Sequence, residues 1–244
     1  MPDELTTRVP LAKTWDDVGR TMFTPEHYEL PEQVQMVSFA AANPVPQVFT
    51  DHEGQMRASA IPMIPVKNNS SEISSFVGHL ASRNGQTEAI KAGAVGLALF
   101  SGPSAYISPR WFRKNITAPT FSYVSVQVRG TFVPLSGEEE TWEVIRNTVA
   151  HMEAMVTAQS GGKPWRMKEL LTEQMERYLP MVLAFRFEID SIEGVNRLNQ
   201  EKDVVDMENI IDGLKETGAA GSMQIAALMQ ENLDAILSHA DGQD

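Results

Sequence analysis

Residues 94–108 have the sequence AVGLALFSGPSAYIS, and residues 120–133 have the sequence TFSYVSVQVRGTFV. Both stretches are rich in apolar, β-branched and aromatic residues, and glycine or proline interrupts each of them. This composition is typical of short β-strands bounded by turns. The pattern predicts strands over residues 94–101, 105–108 and 120–133, with little helix between them.

Similar short runs precede these stretches and are separated by turn-forming sequences. They comprise residues 45–50, 55–66 and 73–80, with a polar loop at 68–71 and a short helix predicted over 81–91. Several short strands joined by glycine- and proline-containing turns predict an antiparallel barrel or sandwich. A barrel is the simplest of these arrangements.

Helical periodicity surrounds this β-rich region. Apolar residues recur at helical spacing in a segment that begins near Pro31, in residues 138–157, and in two C-terminal segments. A further helix is predicted over 167–178, followed by a returning strand over 182–192. The expected fold class is α+β, a β-barrel with peripheral helices and a helical C-terminal appendage. The expected organisation is an N-terminal arm (1–21), a cofactor-binding barrel domain (22–200) and C-terminal helices (201–244).

The composition excludes several classes of protein. The 244 residues include no cysteine, so disulfides, thiolate catalysis and cysteine-ligated metals are ruled out. The formal charge of −12 argues against general binding of nucleic acid, and we do not expect DNA binding. No secretory signal pattern is present, and no apolar run approaches the ~20 residues of a membrane span. We therefore expect a soluble cytoplasmic protein without membrane association.

The charge is unevenly distributed along the chain. Residues 187–244 carry a net charge of −10, whereas residues 54–130 carry +6. A basic segment within an acidic protein suggests a site for an anionic small molecule, such as one bearing a phosphate or propionate group. The alternative is that these are ordinary solvated side chains.

No standard catalytic signature is present, and the five histidines contain no pair spaced for metal binding. His79 differs from the others because it lies at the end of a predicted strand, directly after Gly78. It could be a hydrogen-bonded structural residue, an iron ligand, or a hydrogen-bond donor to an anionic ligand.

Two segments provide candidate anion-binding residues. Arg57 and Ser59 are two positions apart on one predicted strand and therefore share a face. Arg83 and Asn84 follow the next strand and open a short helix, where free backbone N–H groups favour an anion. Together these four residues resemble half of a phosphate or carboxylate clamp.

Several motifs resemble those of a known family. The segments are MFTPEHY (22–28), ASAIP (58–62), GHLASRN (78–84), SGPSAYISP (101–109) and APTFSY (118–123). They resemble the PaiB-type split-barrel proteins, which are described as FMN-binding negative transcriptional regulators, and the resemblance covers roughly residues 22–215. It implies a homodimeric split barrel that holds its cofactor at the subunit interface.

The departures from this family pattern indicate a divergent branch. Ala60 replaces a usual histidine, Phe121-Ser122 replaces Trp-Asn, and VNRLNQE (195–201) stands where K-W-K-L-S-Q-N is expected. The Asn-Gln-Glu ending of the last segment (199–201), together with residues 125–130 and 179–185, is similar to the haem-dependent piperazate synthases. Those enzymes close an N–N bond within an N-hydroxylated ornithine.

The leading hypothesis from this resemblance is a haem b enzyme that forms an N–N bond in an N-hydroxylated amine or amino acid. His79 would be the axial iron ligand, and Arg57 and Arg83 would pair with the propionates. Tyr106 or Tyr123 would transfer protons.

Two alternatives remain open at this stage. The protein is an FMN-binding PaiB-type oxidoreductase or negative transcriptional regulator, with Arg57, Ser59, Arg83 and Asn84 on the phosphate. Otherwise it is an interaction module whose site is degenerate and empty.

Overall fold

The computed structural model describes residues 22–30, 32–67, 73–114, 117–167, 174 and 177–241. The predicted N-terminal arm, the polar loop at 68–71, Pro31 and most of the predicted helix at 167–178 lie outside the described residues.

A single antiparallel sheet forms the centre of the molecule. Its strand order is β2-β1-β5-β6-β7-β4-β3. The strands are β1 (Gln47–His52), β2 (Gln55–Ala60), β3 (Met63–Lys67), β4 (Ile73–Ala81), β5 (Val95–Ile107), β6 (Thr120–Leu135) and β7 (Val182–Arg197).

The sheet closes because β2 and β3 follow one another in the chain yet lie at its two opposite edges. β2 pairs with β1, and β3 pairs with β4. Where β2 leads into β3, the N–H groups of Ile61 and Met63 donate to the carbonyls of Pro46 and Pro44. The interior is filled by large side chains, among them Phe76, Phe100, Phe132, Phe185 and Phe187. The α+β class and the antiparallel barrel predicted from the sequence are confirmed.

Five helices surround the barrel among the described residues: α1 (Gln33–Ala42), α2 (Thr87–Lys91), α3 (Glu138–Ser160), α4 (Val204–Thr217) and α5 (Ala220–Asp241). The short helix α2 closes one end of the barrel, where Ile90 joins the interior cluster. Helix α3 covers part of the outside through Val144, which packs with Val77 and Ala184. None of the described helices combines the length and apolar character that crossing a bilayer requires.

Helices α4 and α5 pack on the far ends of β5 and β6. A second apolar cluster joins Ile107 and Val124 of the strands to Ile210 and Met229 of the helices. The buried Asp206 of α4 accepts hydrogen bonds from the N–H groups of residues 113 and 114, at 2.6 and 2.9 Å. These contacts attach the C-terminal helices to the connection between β5 and β6.

Three predicted elements differ in the structure. Residues 95–107 form one strand instead of two, because an irregularity between Ser101 and Ser104 accommodates Gly102-Pro103 within the ladder. The predicted strand over 55–66 is broken at Ile61-Pro62, since proline has no N–H for the ladder. The helix predicted over 81–91 is confined to Thr87–Lys91 and is preceded by a turn.

Candidate functional site

Arg57 and Ser59 share one face of β2. In the β1–β2 ladder they lie directly opposite Thr50 and Val48. Val48 is part of the interior cluster, and directly opposed residues point to the same side of a sheet. Arg57 and Ser59 therefore point inward, toward the end of the barrel that α2 closes.

The turn between β4 and α2 reaches these two side chains. The Nδ2 group of Asn84 donates to Ser59 Oγ at 3.1 Å, and the N–H of Gln86 donates to Asn84 Oδ1 at 2.9 Å. Arg57 lies against Gly85, where an added Cβ would come within 3.3 Å of its Cδ and 3.4 Å of its Nε. The structure thus brings together Arg57, Ser59 and Asn84, with Arg83 on the same turn.

We call Arg57, Ser59, Arg83, Asn84 and Gly85 the anion cradle. Within the part of the chain that the structure describes, neither Arg57 nor Arg83 makes an ion pair with a carboxylate. In the same described ranges, the N–H groups of Arg83 and Gly85 have no hydrogen-bond acceptor. Two guanidinium groups, a hydroxyl and free main-chain donors form the chemistry that binds phosphate or carboxylate.

His79 lies on the opposite face of the barrel wall. Its neighbours Gly78 and Leu80 face the interior, so His79 faces outward with Val77, directly opposite Ala184 of β7. Burial lowers the pKa of His79, which favours the neutral imidazole. Its Nδ1 atom is buried and has no hydrogen-bond partner in the described structure. The predicted iron ligand and the predicted propionate-binding Arg57 are therefore not gathered on one face of the chain.

Tyr106 and Tyr123 lie near the far ends of β5 and β6. Tyr123 pairs with Arg197, the last residue of β7, and Tyr106 lies beyond that point. Tyr106 is directly opposite Phe121, with ring centroids 5.6 Å apart in an edge-to-face contact, and about half of each side chain is exposed. Tyr123 shares their face. Arg57 is level with Gly96 of β5, whereas Tyr106 lies ten residues further along this strand and Tyr123 pairs with Ser104, eight residues further along. At ~3.3 Å per residue, strand lengths of roughly 25–35 Å separate these tyrosines from the level of Arg57. One chain alone does not bring these tyrosines to the cradle.

The outer face of β1, β2 and β5 is apolar and partly open. Phe49 lies directly opposite both Ala58 and Leu97. Ala58 is exposed, Met56 is 75% exposed, and Phe49, Leu97 and Leu99 are half-buried. Exposed Gln47 and Asp51 lie on either side of Phe49 on the same face of β1.

Sequence reasoning missed two residues of this site, the cradle member Gly85 and its neighbour Gln86. Gly85 allows Arg57 to lie across the turn. Gln86 is completely buried, and its Nε2 donates to the carbonyl of Val48 and to Thr50 Oγ1. A glycine after Asn84 was a detectable turn signal, whereas a glutamine before a short helix is indistinguishable from a solvent-exposed residue in the sequence.

The amino-acid sequence matches a known protein family. Residues 22–191 match the model of the family described as "Putative FMN-binding domain". The chain belongs to this family. The match spans most of the barrel and includes all five cradle residues, and it bears out the resemblance to PaiB-type FMN-binding split-barrel proteins.

Individual relatives have low sequence identity to this chain, but the matches cover most of both sequences. The chain is 25% identical over 213 residues to protease synthase and sporulation protein PAI 2 of Bacillus subtilis, covering 87% of this chain and 98% of that protein. It is 24% identical over 207 residues to an uncharacterised protein of Aspergillus fumigatus, covering 71% and 79% of the two chains.

A solved structure supports the fold. The FAD and heme binding protein of Mycobacterium smegmatis superposes with a TM-score of 0.50 at 15% identity, covering 70% of this chain and 73% of the other. At this identity the likeness concerns the fold alone. The split-barrel architecture implied by the sequence motifs is confirmed.

Proposed function

We propose that this protein binds FMN, with the phosphate in the anion cradle, and acts as a flavin-dependent oxidoreductase. One observation carries the proposal: the β4–α2 turn contacts both inward-facing residues of β2, through Gly85 beside Arg57 and through the hydrogen bond from Asn84 to Ser59. The chain that forms this site matches the family described as "Putative FMN-binding domain". This is the second of the sequence-based hypotheses, and the family match favours it over haem.

The cradle residues fit a phosphate. Arg57 is half-buried, its side chain lies beside Gly85, and its Nη2 group donates to Gln55 Oε1, so the guanidinium is already restrained before it pairs with an anion. Arg83 adds a second, exposed positive charge on the same turn. The unpaired N–H groups of Arg83 and Gly85 can donate to phosphate oxygens without breaking any hydrogen bond in the described structure.

FMN, when bound, supplies hydride and electron transfer. The chain's own residues contribute binding and orientation. Arg57 and Arg83 neutralise the phosphate, Ser59 donates a hydrogen bond to it, and Asn84 fixes Ser59. A phosphate held by these residues would anchor the cofactor at the end of the barrel that α2 closes.

We further propose that the working unit is a homodimer, paired through the open apolar face around Phe49, Ala58 and Leu97. Burying these side chains removes exposed apolar surface from water. Tyr106 and Tyr123 are too distant to serve the cradle of their own chain. In the homodimer, Tyr106 and Tyr123 of one subunit would reach the cofactor of the other and transfer protons there. The small-molecule substrate would bind at the same place.

A transcriptional regulator is the less favoured use of the same cofactor site. Residues 187–244, which include α4 and α5, carry a net charge of −10, and a DNA-reading surface needs the opposite sign. A DNA-binding assay at moderate salt tests this, and we expect no complex that survives competitor DNA.

A haem enzyme that forms an N–N bond is the second candidate, and His79 is the observation that favours it. Burial lowers the pKa of His79, and the neutral imidazole is the form that binds a metal. In the described structure, however, its Nδ1 lacks the hydrogen-bond acceptor that orients most metal-bound histidines. Arg57 and Arg83 would serve propionates as readily as a phosphate. Against it, His79 and Arg57 lie on opposite faces of the barrel wall.

Absorbance spectra and ligand titrations separate these functions. The purified protein is titrated with FMN, with riboflavin and with haem, and binding is followed by flavin fluorescence or by the Soret band. We expect FMN to bind and riboflavin to bind at least tenfold more weakly, because only FMN engages the two arginines. Equal affinity for FMN and riboflavin, or a haem complex tighter than the FMN complex, would show that the proposal is wrong.

A further inference from the structure

Gln86 is a fully buried polar residue that lies behind the anion cradle. Its Nε2 donates to the carbonyl of Val48 at 3.0 Å and to Thr50 Oγ1 at 3.1 Å. In the β1–β2 ladder Val48 is opposite Ser59, and Thr50 is opposite Arg57. Gln86 therefore ties the β4–α2 turn to the two β1 residues that hold the β2 members of the cradle in register.

The main chain of Gln86 also fixes the direction of a hydrogen-bond chain. Its N–H can only donate, and it donates to Asn84 Oδ1 at 2.9 Å. The Nδ2 group of Asn84 must then face Ser59, to which it donates at 3.1 Å. A reversed contact, from Ser59 Oγ to Asn84 Oδ1, is longer at 3.4 Å. Ser59 thus accepts from Asn84 and keeps its own hydroxyl proton for another acceptor.

Packing alone does not account for a glutamine at this position. The Oε1 atom of Gln86 is buried and has no hydrogen-bond partner in the described structure. A methionine would fill a similar volume without burying an unpaired carbonyl, which is unfavourable. The glutamine adds the two hydrogen bonds from its Nε2 group, and these bonds fix the position of the β4–α2 turn.

We propose that Gln86 is a positioning residue: by fixing the turn, and through it Asn84, it directs the Ser59 hydroxyl proton toward the phosphate of the bound ligand. This inference rests on the proposed FMN function. A phosphate dianion only accepts hydrogen bonds, so Ser59 contributes only when its proton points outward. The successive bonds from Gln86 to Asn84 to Ser59 also polarise one another in the direction of the anion.

The test compares FMN with riboflavin in the intact protein. Gln86→Met keeps the volume and removes both side-chain donors. We expect its dissociation constant for FMN to rise on the order of tenfold, the value of one hydrogen bond to a charged group. The constant for riboflavin, which has no phosphate, should be unchanged. Thermal unfolding of the same samples checks that the protein is folded.

A matched control is Gln200→Met. The Nε2 group of Gln200 also donates to two carbonyls, those of His27 and Asn196, at the opposite end of the barrel. This variant should leave the ratio of FMN affinity to riboflavin affinity unchanged. Thr50→Val is a milder second variant, because it removes one of the two acceptors of Gln86. It should lower the affinity for FMN severalfold and leave the affinity for riboflavin unchanged.

A double-mutant cycle tests whether Gln86 acts through Ser59. In a Ser59→Ala background, adding Gln86→Met should cost no further FMN affinity, because the hydroxyl that Gln86 positions is gone. Independent, multiplicative losses would overturn the inference, as would equal losses of FMN and riboflavin affinity in Gln86→Met and Thr50→Val. Failure of the wild-type protein to bind FMN would overturn the proposed function itself, whatever the variants show.

Discussion

Arg57 lies against Gly85 so closely that a Cβ at residue 85 would come within 3.3 Å of the Arg57 Cδ. The contact joins β2 to the β4–α2 turn across the end of the barrel. It also holds an arginine without a carboxylate partner in the described structure beside a serine and free main-chain donors. The two residues are 28 positions apart in the sequence, and their packing depends on the absence of a side chain at residue 85.

Gly85→Ala should lower FMN affinity by displacing Arg57. The methyl group leaves too little room for the arginine stem, which must shift by a few tenths of an ångström. We expect the dissociation constant for FMN to rise by about two- to fivefold, less than for loss of the arginine, because the guanidinium can partly recover its contact. Riboflavin binding is the control and should not change. An unaltered FMN affinity would show that Arg57 does not bind the phosphate from this position.

The two cradle arginines should contribute unequally. Arg57 is half-buried and Arg83 is exposed, and exposed ion pairs are weaker and more strongly screened. Arg57→Ala should weaken FMN binding by about 1.5–3 kcal/mol and Arg83→Ala by about 0.2–1 kcal/mol. Titrations at low and high salt check the assignment, since the Arg83 contribution should decrease at high salt. A larger loss for Arg83→Ala would reverse the roles given to the two residues.

The proposed dimer can be broken at Ala58. A glutamate at this exposed position, directly opposite Phe49, would place a charge in the centre of the apolar face. Light scattering at micromolar concentration should give a dimer for the wild-type protein and a monomer for Ala58→Glu. Ala154→Glu, on the exposed surface of α3, is the matched control and should remain dimeric. A monomeric wild-type protein would contradict the proposal directly.

Local sequence patterns account for much of the barrel and part of the site. Alternation along one strand correctly placed Arg57 and Ser59 on the same face, since it depends only on residues two apart. Burial of the outer face of β4, on which His79 lies, depends on packing against α3, which is far along the chain. The separation of Tyr106 from the cradle depends on ladder register across three strands. Neither of these relations is contained in a local pattern.

Two departures from the family pattern turn out to be one contact. The expected motifs have Asn at position 122 and Ser at position 199, whereas this chain has Ser122 and Asn199. The Nδ2 group of Asn199 donates to Ser122 Oγ at 2.7 Å, and both side chains are buried. Asparagine also suits the left-handed conformation of residue 199 (φ 57°). The two positions are 77 residues apart in the sequence, and only the fold shows that they are in contact.

Acid should destabilise the protein through His79. Burial lowers its pKa, so the folded state binds a proton less readily than the unfolded state. The stability that the neutral imidazole contributes is therefore present above the unfolded pKa of ~6.5 and is lost as the pH falls below it. Urea unfolding between pH 5 and 8 should show a shallower dependence in His79→Gln than in the wild-type protein. Parallel curves would indicate that His79 is solvated in solution.

Alkali should act through Tyr28, which fastens the segment before α1 to the end of β7. Burial and a hydrogen bond to Glu201 raise the pKa of Tyr28 to about 12, and the guanidinium of Arg197 lies 5.4 Å from its ring centroid. Because the pKa is raised in the folded state, the neutral phenol contributes its full share of the unfolding free energy below the unfolded-state pKa of ~10. This contribution is lost as the pH rises from about 10 to about 12.

Tyr28→Phe should lower the free energy of unfolding by about 1 kcal/mol at neutral pH, the value of one hydrogen bond. The difference in unfolding free energy between wild type and variant should then narrow above pH 10, because only the wild-type protein loses this contribution there. Tyr106→Phe, at an exposed position, is the control and should differ little from the wild type at neutral pH. A Tyr28→Phe difference that stays constant up to pH 12 would show that the phenol does not make this hydrogen bond in solution.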